Sequence, residues 1–169
     1  MTTARSLPKL IGEPIRRRED PRLITGLGTY VDDLKLPGML HMSIVRSTHA
    51  HAKLTKVDVA AARAAPGVAL VMTGVEARAW GEMLPTASNL PDMHAATRYP
   101  LSNDVVRFVG EGIAAIVASD RYLSKDAAEL VDIDYEDLPV VIDPQKAIQP
   151  GSALLHPEFG TNVCVSMPM

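Results

Sequence analysis

VVRFVGEGIAAIVAS, residues 105–119, is the strongest β-strand signal in the chain. Two apolar runs, VVRFV and IAAIVA, stand on either side of Gly110-Glu111-Gly112, and a short glycine-bearing link between such runs is typical of a hairpin. We therefore predict two strands joined by a hairpin turn. The glycines beside Glu111 permit either a tight turn or the close approach of another backbone, and both interpretations stay open.

Downstream of this stretch the sequence predicts one more helix and further strands. Asp120 is expected to cap a helix that continues to Val131, because Asp is favoured at the position before a helix. The β-prone residues that follow, including the VVID run, predict a last strand pair around Leu138-Pro139. From Pro144 onward the chain reads as loop.

Upstream, the apolar spacing predicts an alternation of short strands and helices. Strands are expected over residues 39–46 and 68–72, with a helix after Asp58 and a short helix over residues 74–80. Residues 81–101 are polar and lack a period, which is typical of a long surface loop. This order of elements indicates an α+β (mixed α/β) domain with short strands, a hairpin and two main helices.

The domain organisation is predicted as an arm, a main domain and a tail. Residues 1–24 are expected to form an extended N-terminal arm, since their three prolines interrupt any helix. Residues 25–150 carry the predicted elements, and residues 151–169 form a C-terminal segment. The arm holds a basic run, which is either solvated charge or a surface that lies on a partner: Arg16, Arg17 and Arg18.

Composition excludes several classes of function. The net charge of -3 removes the bulk electrostatic case for binding nucleic acid or an anionic membrane. A single cysteine, Cys164, excludes an internal disulfide framework and a thiolate zinc site. No apolar run approaches the length of about 20 residues that a membrane span requires, and the N-terminus lacks the apolar core of a secretory signal. These features predict a cytoplasmic protein without a membrane span.

The histidines of VRSTHAHAKL, residues 45–54, are the most suggestive side chains for chemistry. On a strand, His49 and His51 would point to the same side and could supply two metal ligands. A metal site needs a third and usually a fourth ligand, and none stands nearby in the sequence. A role in hydrogen bonding or at an interface, together with Arg46, is therefore favoured. We identify no complete catalytic set and name no catalytic or metal-binding residue.

Several motifs together resemble one enzyme family over residues 11–163. They are GTYVDDL with LPGML (residues 28–40), VRSTHAHA (45–52), PGV (66–68), VRFVGE (106–111), DAAELV (126–131) and DYEDLP (134–139). In this order and spacing they closely resemble the N-terminal α/β hammerhead domain of the molybdenum-binding large subunit of the xanthine dehydrogenase, aldehyde oxidase and aerobic carbon monoxide dehydrogenase family. Thr48 and Gly112 stand where the family usually has proline, which blurs assignment to a subfamily.

The resemblance implies a place in a larger assembly. Family large subunits are several times longer, and the parts that bind molybdopterin lie beyond residue 169, so the chain is expected to be a natural split subunit or a truncated piece. The implied partners are the molybdopterin-binding domains or subunit, an iron–sulfur subunit and a flavin subunit of the same complex. Molybdopterin, 2Fe-2S clusters and FAD would be carried on those other chains or domains.

The implied function is that of a structural and interface component of a molybdenum hydroxylase, which oxidises or hydroxylates a small molecule with oxygen from water. The alternative is a stand-alone, non-catalytic binding or assembly domain with the same fold. The turn expected nearest the cofactor domains consists of Gly110, Glu111 and Gly112. The predicted partner-facing residues are Arg16, Arg17, Arg18, Arg46, His49 and His51.

Overall fold

The computed structural model of the chain describes residues 11–81, 84, 90–96 and 98–167. They divide into two compact units, with the boundary between Pro37 and Gly38. The first unit contains helix α1 (Asp20–Ile24) and a 3-10 turn over Val31–Asp33. The predicted extended arm is therefore wrong from Asp20 onward. Pro21 occupies the first turn of α1, where the missing N–H has no partner within the helix and costs nothing.

The described residues of the second unit form six strands in two antiparallel sheets. The strands are β1 (His41–Arg46), β2 (Ala52–Asp58), β3 (Val68–Thr73), β4 (Val105–Val106), β5 (Gly112–Ala118) and β6 (Asp132–Asp137). The first sheet has the order β1-β5-β3 and the second has the order β4-β2-β6. The same part of the chain also forms the helices α2 (Ala60–Ala64), α3 (Gly74–Trp80), α4 (Arg121–Glu129) and α5 (Pro144–Ala147). The α+β class and the hammerhead's alternation of short elements are confirmed.

The hairpin predicted over residues 105–118 is wrong, because its two strands lie in different sheets. Val106 of β4 stands opposite Ala52 of β2, whereas β5 pairs with β1 and β3. The glycine turn carries the chain from one sheet to the other instead of folding it back. Gly110 has a φ of +92°, a left-handed conformation that favours glycine at this change of direction.

Strand β5 is the centre of the core. Its side chains Ala114 and Ile116 are fully buried on the face covered by α2 and α4. Ala115 faces the opposite way and packs with Ala77 of α3 and with Leu101. Ile113 reaches the core of the second sheet. One strand of small and branched apolar residues therefore connects all three clusters of buried side chains.

Local sequence signals locate the starts of α2 and α4. Asp120 accepts a hydrogen bond from the backbone N–H of Tyr122 at 2.7 Å and starts α4, as predicted. Asp58 accepts from the N–H of Ala60 at 3.0 Å just before α2.

The predicted last strand pair is wrong, because β6 forms but no strand follows it at VVID in the described chain. The tail is not uniformly loop either, since α5 and a 3-10 turn over Pro157–Phe159 form there.

A capping box at the start of α3 makes the stability of the chain depend on pH. Glu76 accepts hydrogen bonds from the backbone N–H and the hydroxyl of Thr73, and it also pairs with Arg63. The backbone bond from Thr73 is the largest cause that lowers the pKa of Glu76 below its ordinary value. The folded state therefore binds this proton less readily than the unfolded state does.

We expect Glu76→Gln to flatten the loss of stability on the acid side. A lowered carboxyl pKa contributes stability above the ordinary value of 4.5, and this contribution disappears as the pH falls through the folded-state pKa. Urea midpoints measured from neutral pH down to about pH 3 give the slope. Thr73→Ala should flatten the slope in the same direction, and an unchanged slope in both variants would contradict the assignment.

Candidate functional site

Two stretches that the sequence singled out separately lie side by side. The backbone N–H of Ser47 donates to the carbonyl of Glu111, and the N–H of Gly110 donates to the carbonyl of Ser47, both at 2.8 Å. The Arg46 guanidinium donates to the carbonyl of Gly110, also at 2.8 Å. The end of β1 and the glycine turn before β5 thus form one hydrogen-bonded surface, which we call the joint (residues 46–47 and 107–112).

The Glu111 carboxylate is used within the joint. One of its oxygens accepts from the backbone N–H of Arg107 at 2.6 Å, while the N–H of Glu111 donates to the carbonyl of Phe108 at 3.2 Å. These bonds close a compact turn that leaves Phe108 51% and Val109 64% exposed at its tip. An apolar tip on an ordered turn is suited to contact with another surface, and the carboxylate's observed role is to hold that turn.

The close backbone approach anticipated at the glycines comes from the chain itself. A Cβ added to Gly112 would lie 3.2 Å from the carbonyl oxygen of Pro100, and the N–H of Ser102 donates to the carbonyl of Gly112 at 2.7 Å. Glycine at this position therefore lets the end of the long loop lie against the start of β5.

His49 does not lie on a strand, because β1 ends at Arg46 and β2 begins at Ala52. Its ring stacks on Tyr135 with the centroids 4.0 Å apart, and its Nε2 lies 3.6 Å from a carboxylate oxygen of Asp137. The Thr48 hydroxyl lies 3.1 Å from its Nδ1. The half-exposed imidazole is thus oriented by groups of the second sheet.

His51 is buried, and its partners differ from those of His49. Its Nδ1 donates to the carbonyl of Pro139 at 2.8 Å, and its own carbonyl accepts from the N–H of Leu138 at 3.0 Å. The prediction that both rings share one strand face is wrong. Among the residues that the structure describes, no three His, Cys, Asp or Glu side chains are grouped so that they could hold a metal ion.

We expect His51→Ala to lower the free energy of unfolding by about 1.5 kcal/mol, because a buried ring is removed and the carbonyl of Pro139 loses its donor. His49→Ala removes a partly exposed ring and should cost about 0.5 kcal/mol. Urea unfolding of the two variants against the parent chain provides the comparison. Equal losses of stability in the two variants would show that the hydrogen bond from His51 to Pro139 adds nothing to stability.

Two cavities lie near the C-terminal segment. The larger, about 680 Å³, is mainly apolar and lies between the long loop and residues 141–164. Phe159 stacks on His94 there, with centroids 5.0 Å apart. The smaller, about 230 Å³, is polar and includes Arg107, Glu111 and Glu158. Neither cavity has a signal in the sequence, because most of the lining residues come from segments without periodicity.

The polar cavity is the more strongly charged of the two. Arg78 lies over the Tyr99 ring at 4.2 Å and pairs with Asp104 at 3.6 Å. A backbone hydrogen bond at Glu158 itself, followed by the bond from the His156 ring, holds the pKa of the Glu158 carboxyl below its ordinary value. The charges in this cavity are thus largely matched within the chain.

The basic run of the first unit is exposed. Arg16, Arg17 and Arg18 stand just before α1, where the backbone N–H of Arg17 donates to Asp20 at 2.9 Å. Arg46 is also exposed, although its guanidinium is engaged by the joint. Within the described residues, no helix combines the length and the apolar character that crossing a bilayer demands.

The chain is similar in sequence to subunits of known enzymes. The gamma subunit of the 6-hydroxypseudooxynicotine dehydrogenase complex of Paenarthrobacter nicotinovorans is 43% identical over 154 residues, which are 89% of this chain and 19% of that protein. The carbon monoxide dehydrogenase large chain of Afipia carboxidovorans is 42% identical over 161 residues, 94% of this chain and 19% of that one. The chain therefore spans about one fifth of the length of these relatives.

The fold of the chain is also similar to part of a solved enzyme structure. Quinoline 2-oxidoreductase from Pseudomonas putida 86 matches with a TM-score of 0.80 and 40% identity, over 89% of this chain and 19% of that one. The family described as "Aldehyde oxidase and xanthine dehydrogenase, a/b hammerhead domain" matches residues 25–139. The chain thus belongs to the aldehyde oxidase and xanthine dehydrogenase family and carries its α/β hammerhead domain.

Proposed function

We propose that the chain is the hammerhead component of a molybdenum hydroxylase and serves structure and interface rather than catalysis. The observation that carries the proposal is the match of almost the whole chain to one fifth of large subunits such as that of carbon monoxide dehydrogenase. In such an assembly the oxidation or hydroxylation of a small molecule takes place on polypeptide outside these 169 residues.

The iron–sulfur cluster that the family implies does not fit this chain alone. A 2Fe-2S cluster requires four protein ligands, commonly cysteines, and the chain has one cysteine. The described residues include no cluster of His, Cys, Asp or Glu side chains that could hold a metal. We assign the iron–sulfur clusters to other domains or subunits, and we propose the same for molybdopterin and FAD because the matched region is about one fifth of the relatives' length. We derive no chemical step in this chain.

The joint is our proposed contact with the cofactor-binding domains. Its Gly110-Glu111-Gly112 turn is ordered by bonds to Ser47 and Arg107, and it displays Phe108 and Val109 to solvent. A preformed apolar tip loses little conformational freedom on binding. Arg46 donates to the carbonyl of Gly110 within this turn. The other proposed partner-facing residues are separate candidates and are not placed on the joint: Arg16, Arg17 and Arg18 of the first unit, and His49 and His51 of the second.

Purification of the tagged chain from its native source tests the proposal. A molybdenum-containing polypeptide in the same fractions, identified by elemental analysis and mass spectrometry, is the expected result. A chain that elutes alone, without molybdenum, iron or flavin, would contradict the proposal and favour a stand-alone assembly domain.

A pair of variants then tests the joint. Phe108→Ser should reduce the recovered molybdenum polypeptide, whereas Tyr122→Ser, which removes a more exposed aromatic from α4, should not. Equal recovery with both variants would remove the joint from the proposed interface while leaving the assembly itself in place.

A further inference from the structure

The segment that follows β6 has the side-chain pattern of a strand. Residues 138–143 read LPVVID, and β-branched residues of this kind favour strands. Val140 is 52% and Ile142 is 87% exposed, whereas Val141 and Asp143 between and after them are partly buried. An exposure that alternates with a period of two is the pattern of an extended chain with one covered face.

The backbone of this segment lacks the hydrogen bonds of a strand. Within the described chain, the N–H and C=O groups of Val140, Val141 and Ile142 make no hydrogen bond, and no strand pairs with them. Both ends are nevertheless fixed. His51 binds Pro139 on one side, and on the other the Asp143 carboxylate caps α5 by accepting from the N–H of Gln145 at 2.9 Å.

These features leave apolar surface and backbone polar groups of the segment available to a binding partner. Two large apolar side chains face water, and three successive peptide groups have no hydrogen-bond partner among the described residues. An added strand would hydrogen-bond to these peptide groups and cover the two exposed side chains, because main-chain bonds supply affinity and apolar side chains cover alternate positions. Since His51 and Asp143 already hold the ends, little ordering remains to oppose the pairing.

We propose that Val140–Ile142 is completed by a β-strand from the molybdenum-binding remainder of the large subunit. This inference rests on the proposed function. Relatives of this chain carry about four fifths of their length outside the matched region, so that remainder is the nearest source of a strand. The strand should present apolar side chains toward Val140 and Ile142 and donate and accept main-chain hydrogen bonds.

Amide hydrogen exchange tests the proposal directly. The peptide that spans residues 138–143 is followed in the isolated full chain and in the molybdenum-containing complex. We expect the amides of Val140, Val141 and Ile142 to exchange freely in the isolated chain and at least about tenfold more slowly in the complex. Equal exchange in an intact complex would overturn the strand pairing and leave the proposed function standing.

A matched pair of variants gives a second measurement. Ile142→Asp should lower recovery of the molybdenum polypeptide at least about tenfold, because it buries a charge at the pairing face. Val75→Asp, at a position 65% exposed in the first turn of α3, should leave recovery unchanged. Circular dichroism of both variants establishes that they fold, and equal recovery from the two would overturn the proposal.

The remaining outcomes also decide the question. If no molybdenum polypeptide is recovered even with the parent chain, the proposed function and the strand pairing both fail. If the isolated chain protects the same amides and sediments as a dimer, the partner strand belongs to a second copy and the assignment to the large subunit is wrong.

Discussion

Gly74→Ala is expected to lower the free energy of unfolding by about 3 kcal/mol, through overpacking against a backbone that cannot easily move. A Cβ at Gly74 would lie 2.1 Å from the carbonyl oxygen of Ser102 and 2.9 Å from the backbone nitrogen of Asn103. Such distances require either α3 or residues 102–103 to shift. That shift would disturb Leu101 and Ala77, which share one cluster of the core.

Helix propensity favours alanine and so acts in the opposite direction. The net change in the free energy of unfolding depends on which of the two effects is larger. Alanine is favoured over glycine inside a helix by about 1 kcal/mol, and less at the first position. Steric overlap with fixed backbone exceeds this gain, so the net effect is destabilising. Chemical denaturation of the variant and the parent chain, followed by circular dichroism, gives the difference directly.

Gly81→Ala is the matched control for Gly74→Ala. Gly81 ends the same helix, its φ of -155° suits any residue, and a Cβ there would have nothing within 4 Å. Its free energy of unfolding should change by less than about 0.5 kcal/mol. Similar losses for the two variants would show that the approach of Ser102 does not constrain α3.

Local signals in the sequence predicted where helices and strands form better than they predicted which strands pair. Asp120 and Pro21 show the difference well. Asp120 capped the helix that its position indicated, because capping involves only residues two or three positions away. Pro21 was interpreted as a helix breaker, but a proline breaks a helix only beyond its first turn.

Strand pairing could not be read from the sequence. VVRFV and IAAIVA satisfied the local rule for a hairpin, yet β4 pairs with a strand some fifty residues earlier and β5 with two others. The rule fails here because propensity describes one strand and pairing is decided by tertiary packing. VVID illustrates the opposite case, in which strand propensity is present and the described chain supplies no partner.

The candidate site was predictable in part for the same reason. The sequence disfavours a metal site at the histidine pair, because it offers no third ligand nearby, and this stays a prediction. What the sequence could not show is that His51 binds a carbonyl 88 residues away, or that the end of β1 lies against the glycine turn. Both contacts join segments that no periodicity relates.

Ile116→Ala is expected to give the largest loss of stability, about 3.5 kcal/mol. Ile116 is fully buried at the centre of β5, among Val59, Ala62 and Val71 of the neighbouring elements. Removing its side-chain carbons forfeits the transfer free energy and leaves a cavity. The small residues around it are held by strands on both sides, so the site cannot collapse easily.

Ile142→Ala distinguishes burial from residue type, because Ile142 is 87% exposed and the same atoms are removed. Its free energy of unfolding should change by less than about 0.5 kcal/mol, while Ile116→Val should lose about 1 kcal/mol. Urea unfolding of the three variants gives the ranking. If Ile116→Ala cost no more than Ile142→Ala, β5 could not be the strand on which the core depends, and the three clusters that it connects would have to be stabilised from elsewhere.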